Sequence, residues 1–416
     1  MRRRTWARSA AALLALLALL TCAGAACTAL VGVDHDYTLA PPDGTTADAP
    51  VTFPADAGAV TKVAAGRFHT CAFFGGSGVA KCWGRNDDYD ELGNGTMAST
   101  AVPLYAMTPG LTALFVGAHD TCGVRAAGGE CAGKGGLGEL GDGVVDADSP
   151  VPEPMSVLPS APVDIASGEA FTCAIVTNGD VWCVGNGSLG ELGNGSFGIS
   201  ATAVQAQLPS AATQISAFYQ HACALLSDGT VACWGDDSTG ALGDGNATPD
   251  GGVATPAVVQ GLPHAIAVGA GEGFSCALVD TGSGAVWCWG DNTYGELGNG
   301  SNDPSNVPVQ VQGLVQPSLL AVGGEHACAA SLEQGGIACW GSGESGQLGD
   351  GNGSTSSTPV TVANIGGYPE SLTAGGFHTC ALVASPVVQC WGSDDFGQLG
   401  DGMTNMDEHA PVTVAW

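Results

Sequence analysis

Residues 372–402 read LTAGGFHTCALVASPVVQCWGSDDFGQLGDG, and residues 63–95 read VAAGRFHTCAFFGGSGVAKCWGRNDDYDELGNG. They are copies of one unit. Its leading Cys falls at 71, 122, 173, 223, 276, 328 and 380, in steps of 51, 51, 50, 53, 52 and 52 residues. A constant period of this size marks a repeat architecture. Within each unit a strand-like piece such as Pro359-Val360-Thr361-Val362 comes first, followed by a run around HTCALV. A turn such as Ser227-Asp228-Gly229-Thr230, a return run ending CWG and a Gly/Asn/Asp loop complete it. Val, Thr, Trp and Cys alternate with small residues between turn formers, which is hairpin grammar, and no helical period is sustained. Four short strands per unit, seven times over, predict an all-β fold: a seven-bladed β-propeller.

Working outward, residues 1–26 form an address, residues 27–54 a tether and residues 55–416 the propeller. Arg2, Arg3, Arg4 and Arg8 precede an unbroken apolar run over residues 10–20, then small residues. That order describes an export signal. It is similar to a bacterial lipoprotein signal, with Cys27 after Gly24-Ala25-Ala26 as the expected lipid-bearing residue and Cys22 as the alternative. Residues 34–54 are polar and Pro-rich, as a tether requires. The location expected is the bacterial cell envelope, lipid-anchored or secreted.

The unit G-x-x-H-T-C-A-L, then C-W-G, then G-Q-L-G-D-G resembles the regulator of chromosome condensation repeat, over all of the chain after the tether. The resemblance implies a seven-bladed ring closed by pairing the two chain ends. Residues 411–416 (PVTVAW) repeat the opening piece once more, so this last strand is expected to close the ring by docking into the first blade, with Pro50-Val51-Thr52-Phe53 as a competitor.

Fourteen Cys remain after the leader, two per unit: Cys71 and Cys82, Cys122 and Cys131, Cys173 and Cys183, Cys223 and Cys233, Cys276 and Cys288, Cys328 and Cys339, Cys380 and Cys390. Hairpin arms at that separation come within bridging distance. An even count in an exported chain points to seven intra-blade disulfides. Zinc and redox motifs call for CxxC, which does not occur.

The chain carries 40 acidic and 10 basic residues, a formal net charge of −30, and no Lys or Arg follows Lys134. Binding to nucleic acid draws on cations that neutralise phosphates, so nucleic acid is not an expected partner; nor is a polybasic membrane contact. His69, His221, His326 and His378 share one slot, which holds Asp120, Phe171 and Phe274 in other units. A slot taking both His and Phe reads as packing. The GELGNG-type loops lack the Lys of a P-loop, and their Leu reads as a buried anchor. No cofactor, metal or catalytic set is assigned.

Just before the ELG loop stand Tyr89, Leu137, Leu189, Thr239, Tyr294, Ser345 and Phe396. One variable position per blade on one rim makes an asymmetric face, with Tyr89, Tyr294 and Phe396 as candidate anchors for a partner. The leading expectation is a monomeric, non-enzymatic protein-binding scaffold. The resemblance supports it, since secreted bacterial members include a propeller that covers and inhibits beta-lactamases. The alternative is an extracytoplasmic hydrolase or lyase with a central-channel site. Guanine-nucleotide exchange, which the family name suggests, is opposed by the leader, the paired cysteines and the missing cations.

Overall fold

The computed structural model describes residues 58–416 apart from 108, 146–147, 247, 249–250, 333–335 and 405. The leader, the tether, Cys22, Cys27 and residues 50–53 therefore lie outside the described residues. Seven four-stranded antiparallel sheets follow one another along the chain. Blade 1 consists of β1 (Lys62–Ala65), β2 (His69–Phe74), β3 (Val79–Gly84) and β4 (Thr100–Ala106). Blades 2 to 7 take β5–β8, β9–β12, β13–β16, β17–β20, β21–β24 and β25–β28, over residues 113–154, 162–205, 212–258, 265–310, 319–361 and 371–413. Each sheet keeps its strands in chain order from the channel outward.

That order shifts the phase of the repeat. The piece at residues 359–362, expected to open a unit, belongs to β24 (Ser356–Thr361), which pairs with β23 (Ile337–Gly341) as the fourth strand of blade 6. By the same shift, β28 (Glu408–Thr413) closes the ring by completing blade 7 on β27 (Val387–Gly392). It does not pair into blade 1. Beyond it, Val414 joins the core cluster of blade 1, and the Trp416 ring lies 5.5 Å from Phe74 and 6.0 Å from Trp83.

All seven expected disulfides are present, each joining directly opposed residues of the second and third strands with Cα atoms 4.0–4.1 Å apart. The directly opposed register of the two strands is what brings each pair of sulfurs together.

The hydrophobic core is distributed over the seams between blades. One cluster, for instance, joins Phe171, Ile175 and Leu192 of blade 3 to Ile215, Ala222 and Trp234 of blade 4. The seam of blades 7 and 1 joins Leu382 and Leu399 to Val63 and Trp83. The Leu of each ELG loop is buried, as expected. Trp83, Trp234, Trp289, Trp340 and Trp391 are fully buried, each donating from Nε1 to an ELG-loop carbonyl of the preceding blade at 2.7–2.9 Å. The Gly behind that Leu lies flat against the indole: Gly400 has φ 72°, and a Cβ there would stand 2.5 Å from Trp83 Nε1.

Blades 2 and 3 lack this Trp, with Ala132 and Val184 in its place. The residue after the fourth strand compensates. It is buried Met107 at the seam of blades 1 and 2 and Met155 at the next, where the other blades have only Ala206, Val259, Val311, Val362 and Val414. Met is the side chain best suited to an irregular gap.

Candidate functional site

The antiparallel order brings every turn between first and second strands, and every loop between third and fourth, to one face of the ring. Most of the repeated motif on that face is consumed in holding blades together. His69, His326 and His378 point Nε2 at Thr121, Thr379 and Thr70 of the next blade, at 3.1, 2.7 and 2.7 Å; His221 meets Ser275 at 2.8 Å. Those hydroxyls themselves donate to loop carbonyls: Thr121 to Glu91, Thr70 to Gln398, Thr379 to Gln347 and Ser275 to Ala241. The imidazole is therefore the donor in each pair. Asp120 occupies the slot in blade 2 and accepts from Thr172 at 3.3 Å. Where the slot holds Phe171 or Phe274, the facing residue is Ala222 or Ala327. Polar faces polar and apolar faces apolar at all seven seams. Burial pushes the four His down to about 3–4 and holds Asp120 up to about 7.

The ELG carboxylates are framework too. Glu139, Glu191 and Glu296 each accept the backbone N–H two residues earlier at 2.7–2.8 Å. Burial raises Glu91 and Glu296 to about 7. Gln347 and Gln398 make the same bond in blades 6 and 7, as a neutral group of the same shape should. Among the described residues no group of three or more His, Cys, Asp or Glu is placed to hold a metal ion.

What differs from blade to blade gathers on one sector. Phe396 of blade 7 packs edge-on to Phe68 of blade 1 at 5.4 Å, and Phe377 stacks on Phe68 at 5.8 Å. The Arg85 guanidinium lies over both Phe68 (5.2 Å) and Phe396 (4.9 Å), with Asp87 and Asp88 as counter-charges. Next to it Tyr89 contacts His119 at 4.8 Å, and Lys134 Nζ sits 5.1 Å from the Tyr89 ring. Tyr294 stands elsewhere, in blade 5, where Glu325 above all, then burial and further carboxylates, raise its phenol. The structure thus brings Tyr89 and Phe396 to a shared arc across blades 7, 1 and 2 and leaves Tyr294 among acids.

At the centre of this face Arg67 reaches from blade 1 to Glu169 of blade 3 (4.0 Å) and Glu272 of blade 5 (3.9 Å), with its guanidinium 5.7 Å from the Tyr219 ring of blade 4. It therefore crosses the channel mouth. Arg67, Phe68, His119 and Phe377 were missed by sequence reading. They occupy the two columns just before the His slot, which vary between blades as the Tyr89 column does.

The outer loops continue the asymmetry. Met403 and Met406 in blade 7, Met97 in blade 1, Val144 and Val145 in blade 2, and Phe197 and Ile199 in blade 3 are exposed, Met97 at 68% and Phe197 at 63%. The same loop reads Ser301-Asn302-Asp303 in blade 5 and Asn352-Gly353-Ser354 in blade 6. These exposed apolar side chains thus fall on the loops of blades 7, 1, 2 and 3.

Comparison with known proteins adds family context. The model of the RCC1-like domain matches residues 131–415. The ultraviolet-B receptor UVR8 of Arabidopsis thaliana is 35% identical over 140 residues, covering 33% of this chain and 31% of that protein. Human E3 ubiquitin-protein ligase HERC2 is 32% identical over 152 residues, 36% of this chain and 3% of that protein. The chain thus spans a third or less of the length of these relatives. Among solved structures, Prp20p from Saccharomyces cerevisiae superposes with TM-score 0.69 at 20% identity, over 82% of this chain and 86% of that one. Human WBSCR16 does so with TM-score 0.67 at 20% identity, over 78% and 87%. Identity at this level speaks to fold alone.

Proposed function

The chain belongs to the RCC1-like domain family, and from that premise we propose that it is a protein-binding scaffold, exported and lipid-anchored at Cys27. The observation that carries the reading is the division of labour on one face. Repeated residues are spent between blades, while variable aromatic, cationic and apolar residues gather over blades 7, 1, 2 and 3. The structure of Prp20p was described together with its binding to Gsp1p and histones, a precedent for protein partners on this architecture. The basic-then-apolar leader and the small residues before Cys27 support export and anchoring. The absence of Lys and Arg after residue 134 leaves an acidic ring that resists self-association, which supports a monomer.

The test is capture from the organism's own cell-envelope extract by the immobilised protein, repeated with a Tyr89→Ala/Phe396→Ala variant and a Tyr294→Ala variant. A saturable partner lost with the first variant and kept with the second is expected. A partner kept with both discards this sector. No partner at all turns attention to the enzymatic alternative, and mass spectrometry of the mature N-terminus checks Cys27 against Cys22.

A further inference from the structure

The inner strands line an open cavity of about 280 Å³ along the ring axis, with Lys62, Phe115, Asp164, Gln214, Ser216 and Thr373 among its walls. Lys62 and Asp164 are the only ionisable residues of this lining. Each lies seven residues before the His slot of its blade, so both stand at the same level, at the end of the channel away from Arg67.

Three of the other polar side chains, Gln214, Ser216 and Thr373, are already committed. The Gln214 carboxamide donates to Val268 O (3.2 Å) and accepts from Val268 N (3.1 Å). Ser216 Oγ accepts from Ala270 N at 3.0 Å, and Thr373 Oγ1 from Ala65 N at 3.1 Å. Lys62 Nζ extends over the Phe115 ring, 4.6 Å from its centroid, and donates to Leu114 O at 2.9 Å. An ammonium has two further donors after that bond. Asp164 accepts from Ile215 N at 3.0 Å and Ile165 N at 3.1 Å, and a carboxylate has room for more.

Lys62 and Asp164 form no direct ion pair; the ion pairs among the described residues lie elsewhere. Their fields couple, each favouring the charged form of the other, yet burial prevails and draws both toward neutrality. Two opposite charges, held apart and half satisfied in a shared cavity, are complementary to a molecule that carries both signs.

We propose that the channel binds a small zwitterion, an aminocarboxylate whose carboxylate meets Lys62 and whose ammonium meets Asp164. The cavity has room for about nine waters at ~30 Å³ each, which fits a molecule of a few heavy atoms. Arg67 crosses the other end on its way to Glu169 and Glu272, so entry is from the face opposite the partner sector. This site is independent of the scaffold reading.

Calorimetric titration of the purified protein tests it, using glycine, β-alanine, γ-aminobutyrate and δ-aminovalerate as probes and acetate and methylammonium as single-charge controls. Saturable binding that peaks at one chain length is expected, with either control weaker by at least about tenfold because one charge-assisted contact is lost. Lys62→Met and Asp164→Asn should each weaken the best probe by a similar factor, while Lys62→Arg retains it. That pattern separates recognition of charge from damage to the ring. Acetate binding as well as the best zwitterion would reduce the site to a plain anion site and overturn the proposal. Absence of saturable binding, indifference to chain length, or wild-type affinity in both charge-removing variants overturns it as well.

Discussion

Replacing His378 by Phe and Thr70 by Ala, singly and together, tests whether the seam between blades 7 and 1 is specified by matched pairs. Thr70→Ala removes the acceptor of His378 Nε2 (2.7 Å) and the donor to Gln398 O (2.9 Å). Gln398 O keeps its bond from Trp83 Nε1, so the main loss falls on the imidazole, which is fully buried and has no partner at Nδ1. A buried donor left unmade costs ~1–3 kcal/mol, and the lost hydroxyl bond adds ~1 kcal/mol. His378→Phe alone drives a bulkier apolar ring against the Thr70 hydroxyl, an overpacking cost of ~1–3 kcal/mol. Together the substitutions recreate the pairing of Phe171 with Ala222 and Phe274 with Ala327. The double variant is therefore expected within ~1 kcal/mol of the wild type, with a favourable coupling of at least ~2 kcal/mol. Urea titration of the oxidised protein, followed by the fluorescence of tryptophans such as Trp83 in the same seam, measures all four corners. Additivity within ~0.5 kcal/mol would refute the matched-pair reasoning.

Asp394 is buried and its carboxyl is held up to about 7, while Asn86 and Asn292 do the same work in blades 1 and 5. A folded pKa raised above the unfolded ~3.9 means stability is lost as pH climbs between about 4 and about 7. Asp394→Asn should thus gain on the wild type across that window in parallel melts, and a constant difference counts against it. Gly400→Ala, which meets Trp83, should destabilise by ~1–3 kcal/mol more than Gly351→Ala, whose φ of 86° is also left-handed but which faces open space; equal losses in thermal melts would remove the clash argument. Met107→Ala should cost ~2–5 kcal/mol by opening a cavity opposite Ala132, read from the same melts, and Ala132→Leu in that background should recover part of it. The disulfide sulfurs are fully buried, so a phosphine reductant should release few thiols from the folded ring and fourteen once urea is added, counted with a chromogenic thiol reagent; rapid release without urea contradicts the buried placement.

The number of blades, the Cys pairs and the ELG leucines were legible because each recurs at one spacing. The phase was not. A PVTV strand obeys the same alternation whether it opens a sheet or closes one, and only pairing to β27 decides that β28 ends blade 7. The partner of His378 is Thr70, 308 residues away, and local pattern cannot announce a contact across the ring. Its trace was nonetheless present in the columns, since the Phe-bearing blades are followed by blades with Ala beside the slot. Phe396 and Tyr89 were singled out because their column varies. Arg67 and Phe68 varied as well, but their columns stand directly before the repeated HTCALV run, whose constancy drew the reading to itself. Tyr294 shares the column of Tyr89 without sharing its surroundings, because side-chain neighbours on a rim come from adjacent blades.

Because β28 completes its own sheet, no blade is divided between the first and last parts of the ring. The seam of blades 7 and 1 is held by scattered contacts and not by a strand ladder: His378 to Thr70, Trp83 to Gln398 O, Thr373 to Ala65 N, the backbone N–H groups of Gly376 and Gly402 to Gly66 O and Ala101 O, and the Trp416 edge. A sheet pulled lengthwise resists through all its ladder bonds at once, whereas a seam of separate contacts yields one contact at a time. Tension applied between Val60 and Trp416 would part that seam first and then shed whole blades, each held shut by its disulfide, in steps of nearly uniform length.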